Sequence, residues 1–136
     1  MSEHPIIRVR DVMTTPVRII SGMATVREAI NMMSEAKVSS LAVERHDDDD
    51  EYGMLVVHDI AREIIATDRS PDRVNVYEIM SKPALTVPSE MQIRFAAQLL
   101  VRYQLNRALV VTHDRKPCGI VTLRDMVIRH AADPAK

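Results

Sequence analysis

The residues best suited to chemistry lie where a predicted strand meets a predicted helix near the C-terminus. Residues 119–125 read GIVTLRD, which places the hydroxyl of Thr122 three residues before the carboxylate of Asp125. The free N–H groups and dipole at a helix start can bind an anion, and a carboxylate accepts hydrogen bonds from hydroxyl groups. The same spacing resembles a capping box with Asp in place of Glu or Gln, which would serve only to begin the helix. Ligand contact and helix capping are both open, and they are compatible.

The segments that must position this pair occur twice in the chain. When the first half is shifted by about 67 residues, apolar, proline and charged positions coincide with those of the second half. The matched positions include Val9 and Val76, Met13 and Met80, Pro16 and Pro83, Arg27 and Arg94 and, after a one-residue slip, Gly53 and Gly119 and Asp59 and Asp125. Two such units, each too small to bury a core comfortably alone, are expected to pack against each other.

Each repeat is predicted to run strand, helix, strand, strand, helix, which defines an α+β fold of two βαββα repeats. Thr25 and Glu28 are a predicted capping box for a helix to about residue 37, and Ser89 and Gln92 are a second one for a helix to about residue 104. Strands are predicted at 17–20, 40–44, 54–57, 85–87, 108–111 and 119–121, with closing helices at 59–66 and 123–131. Repeat 1 spans 8–66, a polar linker with a proline spans 67–74, and repeat 2 spans 75–131.

Composition excludes several classes of function. The 136 residues carry a formal net charge of -1 and contain no Trp, one Phe and three Tyr, so that neither a basic face nor a base-stacking platform for nucleic acid is expected. No apolar run is long enough to span a bilayer, and the N-terminus lacks the features of a signal peptide, which together predict a cytoplasmic protein without membrane association. Cys118 is the single cysteine and is interpreted as a filler thiol.

At this level of detail the chain resembles a tandem pair of CBS domains, named for cystathionine beta-synthase and called a Bateman module when paired. The resemblance rests on the openings DVMT at 11–14 and EIMS at 78–81, on the middle segments VSSLAV at 38–43 and LNRALV at 105–110, and on the glycine-led closings. It covers nearly the whole chain. It implies a pseudo-two-fold pair of repeats with two clefts, each able to hold an adenosine-containing ligand.

In the family pattern, a Thr or Ser and an Asp three residues later touch ribose and phosphate, and each cleft is shared between repeats. The resemblance therefore assigns the more complete cleft to eight residues of this chain. They are Thr14, Arg18, Val38, Ser39, Ser40, Arg107, Thr122 and Asp125. For Arg107, pairing with phosphate oxygens and an ordinary surface position are equally open.

The second cleft is predicted to be weaker because Val56 stands where the second repeat has Thr122. It keeps a carboxylate and lacks the hydroxyl. The residues that the resemblance assigns to it are Asp59, Ser81, Leu85, Leu105 and Asn106.

No metal site and no catalytic motif are predicted. The acidic run 47–51 lacks the alternating ligands and central glycine of a calcium loop, and no Walker loop, nucleophile elbow or zinc-protease motif occurs. The leading hypothesis is a regulatory sensor that binds AMP, ADP, ATP or a related molecule, with Mg²⁺ accompanying ATP, and acts on an unknown effector protein in trans. The alternative is a ligand-free assembly module, and a homodimer is expected in either case, with Ile60, Ile64, Met126 and Ile128 as its surface.

Overall fold

The computed structural model of the chain describes residues 5–132, which form two compact units. The continuous unit comprises Arg18–Ala84, and the split unit comprises 5–17 together with 85–132. The opening segment of each sequence repeat therefore packs with the body of the other repeat. Within the described residues, no helix combines the length and the apolar character that crossing a bilayer requires.

The continuous unit contains one three-stranded sheet and its helices. Its elements are β1 Ile19–Ile20, helix α2 Val26–Ala36, β2 Ser40–Val43, β3 Gly53–Val56, helix α3 Val57–Ile60, a π-helical turn Ala61–Ile65 and a 3-10 turn Val76–Glu78. Strand β1 pairs with β2 in parallel, and β2 pairs with β3 in antiparallel orientation.

The split unit repeats this topology. Its elements are helix α1 Val9–Val12, β4 Thr86–Pro88, helix α4 Ile93–Arg102, β5 Arg107–Val111, β6 Pro117–Thr122 and helix α5 Leu123–Ala132. Strand β4 pairs with β5 in parallel, and β5 pairs with β6 in antiparallel orientation with one irregularity at Val110 and Val111. The predicted α+β class and the repeated order of elements are confirmed.

Each unit buries its own apolar core. The core of the continuous unit is formed around Leu41 and Leu55, and that of the split unit around Leu100 and Val121, all without exposed surface. Burial of side chains of this size stabilises a fold by about 1.5–3 kcal/mol each. The inward positions follow helical spacing on α2 and α4, as the sequence pattern indicates.

The predicted capping box of α2 is confirmed, whereas the predicted box of α4 is wrong. Glu28 N donates to Thr25 Oγ1 at 3.2 Å, and Thr25 N donates to Glu28 Oε2 at 2.9 Å. Helix α4 begins only after Gln92, which makes no side-chain capping bond. The backbone of Ser89 is occupied differently, since its N–H donates to Val111 and its carbonyl accepts from Arg10. The segment that follows β4 is thus held by tertiary contacts before the helix begins.

The segment 67–74, predicted as a linker, supplies acceptors to the first turn of α2. Val26 N donates to Val74 O at 2.8 Å, and Arg27 N donates to Pro71 O at 3.0 Å. Arg27 Nε also lies 3.0 Å from Asp72 Oδ1. These bonds satisfy N–H groups that have no partner inside a helix.

The surface predicted for dimerisation is wrong at three of its four positions. Ile60 and Ile64 belong to the core of the continuous unit, and Met126 belongs to that of the split unit. Ile128 alone of the four is exposed. The closing helices turn these three side chains towards the sheet, so that other residues form their exposed faces.

Candidate functional site

The strand-to-helix junction of the split unit holds the Thr122 and Asp125 pair. Strand β6 ends at Thr122, and α5 begins at Leu123. Asp125 N donates to Thr122 Oγ1 at 3.0 Å, so the threonine caps the helix. Leu123 N donates to the carbonyl of Asn106 at 2.8 Å. Capping employs the threonine hydroxyl as an acceptor and leaves its own hydrogen available for donation.

The opening segment of the chain lies directly against this junction. Thr14 N donates to Ile120 O at 2.8 Å, and Ile120 N donates to Thr14 O at 3.1 Å. A Cβ atom on Gly119 would lie 2.8 Å from Met13 Sδ and 2.9 Å from Thr14 O, closer than real Cβ atoms approach. The glycine therefore permits the close backbone approach that brings Thr14 beside β6.

The carboxylate of Asp125 is uncommitted within the described part of the chain. It is half-buried, and among residues 5–132 it accepts no hydrogen bond and forms no ion pair. Arg107, also half-buried, stands opposite Thr122 in the register of β5 and β6. The junction thus combines a helix N-terminus, a capping hydroxyl, an available carboxylate and a neighbouring cation.

The equivalent junction of the continuous unit uses its carboxylate internally. Asp59 is only 5% exposed. Its Oδ2 accepts from Val56 N at 3.1 Å, and its Oδ1 accepts from Arg62 Nη2 at 3.0 Å. Because Val56 has no hydroxyl, Asp59 supplies the bond that anchors the start of α3. Val57 N donates to Ser39 O at 3.0 Å, which matches the bond from Leu123 to Asn106.

The remaining predicted site residues lie at corresponding places in the two units. Ala42 N donates to Arg18 O and Leu109 N donates to Leu85 O, both at 2.9 Å, while Ser81 pairs with Met54 as Thr14 pairs with Ile120. The split unit contains Thr14, Leu85, Leu105, Asn106, Arg107, Thr122 and Asp125, and the continuous unit contains Arg18, Val38, Ser39, Ser40, Asp59 and Ser81. The joint use of residues from both groups stays a prediction of the sequence.

Sequence reasoning missed the partner of Asp59 and the role of the methionines beside the glycines. Arg62 follows Asp59 by three residues, a spacing at which helical side chains meet, whereas the second repeat has Ile128 in its place. That difference was available in the alignment of the repeats. Met13 and Met80 occupy matching positions against Gly119 and Gly53, a contact that no local pattern indicates.

The acidic run 47–51 has its own structural partners. Asp47 Oδ1 accepts from Asp49 N, and Asp50 Oδ2 accepts from His46 N and from Lys82 Nζ, the last at 2.6 Å. The hydrogen bonds from Lys82 and from the backbone lower the pKa of Asp50 to about 2. In the described part of the chain, no three His, Cys, Asp or Glu side chains are grouped so as to hold a metal ion.

The single cysteine, Cys118, lies on β6, where burial raises the pKa of its thiol.

The family of the chain follows from comparison with known proteins. The model of the CBS domain matches residues 9–66 and again 76–130, so the chain belongs to the CBS domain family. An uncharacterised 33.4 kDa protein in the ribosomal RNA operon of Thermofilum pendens is 31% identical over 133 residues, which cover 90% of this chain and 43% of that protein. The chain spans about half the length of such curated relatives, since it covers 57% of an uncharacterised Methanopyrus kandleri protein.

Solved structures of CBS domain proteins share the fold. The hexameric CBS-CP12 protein from bloom-forming cyanobacteria is 31% identical with a TM-score of 0.87, and the match covers 92% of this chain and 72% of that chain. A CBS domain protein from Pyrobaculum aerophilum complexed with AMP is 20% identical, with a TM-score of 0.78 and coverage of 92% and 98%. A CBS domain pair in complex with 5′-methylthioadenosine and S-adenosyl-L-methionine is 21% identical, with a TM-score of 0.78 and coverage of 93% and 98%.

Proposed function

We propose that this chain is a regulatory module that binds an adenosine-containing ligand, such as AMP, ADP, ATP or S-adenosylmethionine, at the junction of β6 and α5. In this proposal the Asp125 carboxylate accepts hydrogen bonds from ribose hydroxyls, and the N–H groups at the start of α5 face the phosphate or another anionic group. Thr122 and Thr14 contribute polar groups beside them. Arg107 pairs with phosphate oxygens.

The observation that carries this proposal is the contrast between Asp125 and Asp59. The two carboxylates occupy equivalent places in the repeats, but Asp59 is bound by Val56 N and Arg62. Within residues 5–132, Asp125 has no such partner although it is half-buried. Because no described protein group engages this carboxylate and its side chain is only partly buried, it is able to accept hydrogen bonds from a ligand. The AMP and S-adenosylmethionine complexes of two CBS domain proteins support the ligand class.

The proposed module acts by coupling ligand binding to a change in the packing or assembly of the protein. A ligand alters the packing or assembly of the protein only to the extent that it binds two states with different affinity. The chain is proposed to assemble as a homodimer in the cytoplasm and to pass the change to an effector protein in trans. Mg²⁺ would accompany ATP, where the phosphates of the nucleotide supply its oxygen ligands.

A second candidate is an assembly module without a ligand. It is favoured by an open apolar groove between α4 and α5, lined in part by the exposed side chains of Val101 and Val127. In that case the bond between Asp125 N and Thr122 serves only to cap α5. The two candidates differ in whether a small molecule stabilises the protein.

Thermal unfolding in the presence of AMP, ADP, ATP and S-adenosylmethionine separates the two candidates. A ligand at one hundred times its dissociation constant adds about 2.7 kcal/mol to the free energy of unfolding. We expect at least one of the four to raise the melting temperature of the wild-type protein. No shift with any of them would contradict the sensor proposal and favour assembly alone.

Three substitutions locate the ligand-induced shift in melting temperature. Asp125→Ala is expected to abolish the ligand-induced shift while changing the ligand-free melting temperature little. Asp114→Ala, at the exposed turn between β5 and β6, is the matched control and should retain the full shift. A shift that survives Asp125→Ala and disappears with Asp59→Ala, each measured against its own ligand-free baseline, would assign binding to the other junction.

A further inference from the structure

The two strand-to-helix junctions differ in the residue that follows their aspartate by three places. In the continuous unit this residue is Arg62, and in the split unit it is Ile128. Side chains three residues apart on a helix are neighbours, so the side chain at this position can reach the carboxylate. An arginine guanidinium donates hydrogen bonds to a carboxylate, whereas an isoleucine side chain has no donor. The identity of this one residue therefore affects whether the carboxylate has a protein partner.

In the continuous unit, Arg62 binds the carboxylate of Asp59 from the solvent side. Nη2 of Arg62 donates to Asp59 Oδ1 at 3.0 Å, while Val56 N donates to Oδ2 at 3.1 Å. The Asp59 side chain is 7% exposed and the Arg62 side chain is 52% exposed, so Arg62 is the more accessible of the two partners. Breaking the ion pair of a buried carboxylate costs free energy. A ribose hydroxyl that approaches Asp59 must therefore compete with Arg62.

A second carboxylate, that of Glu63, helps to hold Arg62 in this position. Nε of Arg62 donates to Glu63 Oε1 at 3.1 Å, so the guanidinium bonds two carboxylates through two different nitrogens. The planar guanidinium is suited to several such bonds at once. In the split unit, Arg129 stands at the place of Glu63. The residue that helps to fix the arginine is thus replaced there by one of opposite charge, and the arrangement belongs to the continuous unit alone.

The split unit leaves its junction carboxylate accessible. Asp125 is half-buried and forms no ion pair within residues 5–132. Ile128 is 48% exposed, so the position three places after Asp125 has room for a longer side chain. Helix α5 is capped by Thr122 and does not need the carboxylate for that purpose. The difference between the junctions therefore lies in an ion pair as well as in a capping hydroxyl.

We propose that Arg62 closes the junction of the continuous unit to ligands, so that each chain binds a single adenosine-containing molecule at the junction of the split unit. The residue three places after the aspartate thus selects the junction that binds. This inference rests on the proposed function, to which it adds the reason why two equivalent junctions differ in use. It assigns the difference to the ion pair between Arg62 and Asp59, and not only to the hydroxyl that Val56 lacks.

Transfer of the ion pair into the split unit is the first test. Ile128→Arg combined with Arg129→Glu places an arginine and its carboxylate partner where the continuous unit has Arg62 and Glu63. Isothermal titration calorimetry with AMP, ADP, ATP and S-adenosylmethionine, each titrated separately, measures binding. We expect the affinity for any ligand that the wild type binds to fall by about tenfold or more. Ile128→Gln combined with Arg129→Glu is the matched control and should retain the wild-type affinity within about twofold. Equal affinities of the two variants would contradict the proposal.

Removal of the ion pair from the continuous unit is the second test. Val56→Thr combined with Arg62→Ile gives this junction the residue types of the split unit. We expect this variant to bind a second molecule per chain, more weakly than the first because Ser40 stands at the place of Arg107. Val56→Thr alone should still bind a single molecule. A second molecule bound by Val56→Thr alone, or none bound by the folded double variant, would show that Arg62 is not what closes the junction.

A measurement without ligand tests the ion pair by itself. An arginine that binds the Asp125 carboxylate stabilises α5, so Ile128→Arg combined with Arg129→Glu should melt about 1–3 °C above its control with Ile128→Gln. The difference should largely disappear when Asp125→Asn is added to both variants. Far-ultraviolet circular dichroism establishes that each variant is folded. Equal melting temperatures of variant and control would mean that an arginine at this position does not bind the carboxylate, which refutes the inference.

The failure of this inference is distinguishable from the failure of the proposed function. If the wild type binds a ligand and loses it with Asp125→Ala, but the transferred ion pair does not weaken binding, the proposed function stands and the role of Arg62 is refuted. If the wild type binds two molecules of one ligand per chain, the junction of the continuous unit is open, and again only the inference fails. If the wild type binds none of the four ligands, the proposed function fails and the inference fails with it.

Discussion

The two strand-to-helix junctions of this protein occupy equivalent places in the two repeats and use their carboxylates differently. In the continuous unit, Asp59 is buried and holds both Val56 N and Arg62. In the split unit, Thr122 caps the helix instead, and no described residue engages the Asp125 carboxylate. Because the Thr122 hydroxyl caps α5, the Asp125 carboxylate is not needed for capping. The comparison shows how a duplicated element can keep its structural role in one copy and become available for binding in the other.

The largest loss of stability is expected from substitution of Gly119 and Gly53, which allow the opening segments to pack closely against strands β6 and β3. A Cβ on Gly119 would lie 2.9 Å from a backbone oxygen, and one on Gly53 would lie 3.1 Å from the equivalent oxygen. Backbone cannot move aside as a side chain can, so we expect Gly119→Ala to cost about 3 kcal/mol and Gly53→Ala about 2 kcal/mol. Urea denaturation measures both values.

Gly22 provides the control for these glycines. A Cβ there would meet its nearest neighbour, Tyr77 Cβ, at the ordinary distance of 3.5 Å. Gly22→Ala should therefore change stability by less than about 0.5 kcal/mol, or increase it through the less flexible unfolded chain. Equal losses at all three positions would show that close backbone approach is not the cause.

Substitution of Asp59 and of Asp125 should distinguish a carboxylate that stabilises the fold from one that is available for ligand binding. Asp59→Ala leaves Val56 N without its acceptor, and the loss of a hydrogen bond to a charged group costs about 2 kcal/mol. Asp125→Ala removes no such bond among the described residues, so its cost should be within about 0.5 kcal/mol. Chemical denaturation of the two variants without ligand measures the difference. A greater loss for Asp125→Ala would mean that its carboxylate has a structural role in the folded chain.

Exchange of the residues at the two helix starts, Thr122 and Val56, tests the role of the threonine hydroxyl. Thr122→Val removes the acceptor of Asp125 N, and the loss of such a cap costs about 1 kcal/mol. Val56→Thr introduces a hydroxyl at the start of α3, where it can compete with Asp59 for the cap. We expect thermal unfolding to show destabilisation of the first variant and little change in the second. Destabilisation by Val56→Thr would indicate that this half-buried position does not accept a polar group.

The smallest change in stability is expected from substitution of Asp50, which has no equivalent in the split unit. Its pKa is lowered from 3.8 to about 2 by Lys82 and by backbone N–H groups, so the folded state favours the charged form. The resulting stabilisation is complete above about pH 4 and is lost as the pH falls through about 2. The melting temperature of Asp50→Asn should therefore lie below that of the wild type at pH 6 and approach it near pH 2.

Asp49→Asn is the control for this pH dependence. The exposed side chain of Asp49 makes no hydrogen bond within residues 5–132, whereas its N–H donates to Asp47. Its variant should follow the wild type across the whole pH range. A difference between wild type and Asp50→Asn that stays constant from pH 6 to pH 2 would refute the role of the ion pair with Lys82.

Much of the fold could be predicted from the sequence because its signals are local. The apolar spacing of α2 and its Thr25 and Glu28 box depend on neighbours within one helical turn. The start of α4 could not be predicted in the same way, since the backbone of Ser89 is bonded to Val111 and Arg10, which are distant along the chain. The burial of Ile60 and Met126 could not be predicted for a similar reason, because only packing in the folded unit shows which side of a closing helix is covered.

What the sequence by itself determined is the duplication, the family and the positions of Thr122 and Asp125 at the start of a helix, because all of these are carried by residue type and spacing. The tertiary structure decided which body each opening segment joins, and it decided that Asp59 is held by its own unit. Those outcomes depend on backbone register and on distances of about 3 Å between donors and acceptors. Such distances arise only when segments far apart in sequence are packed together.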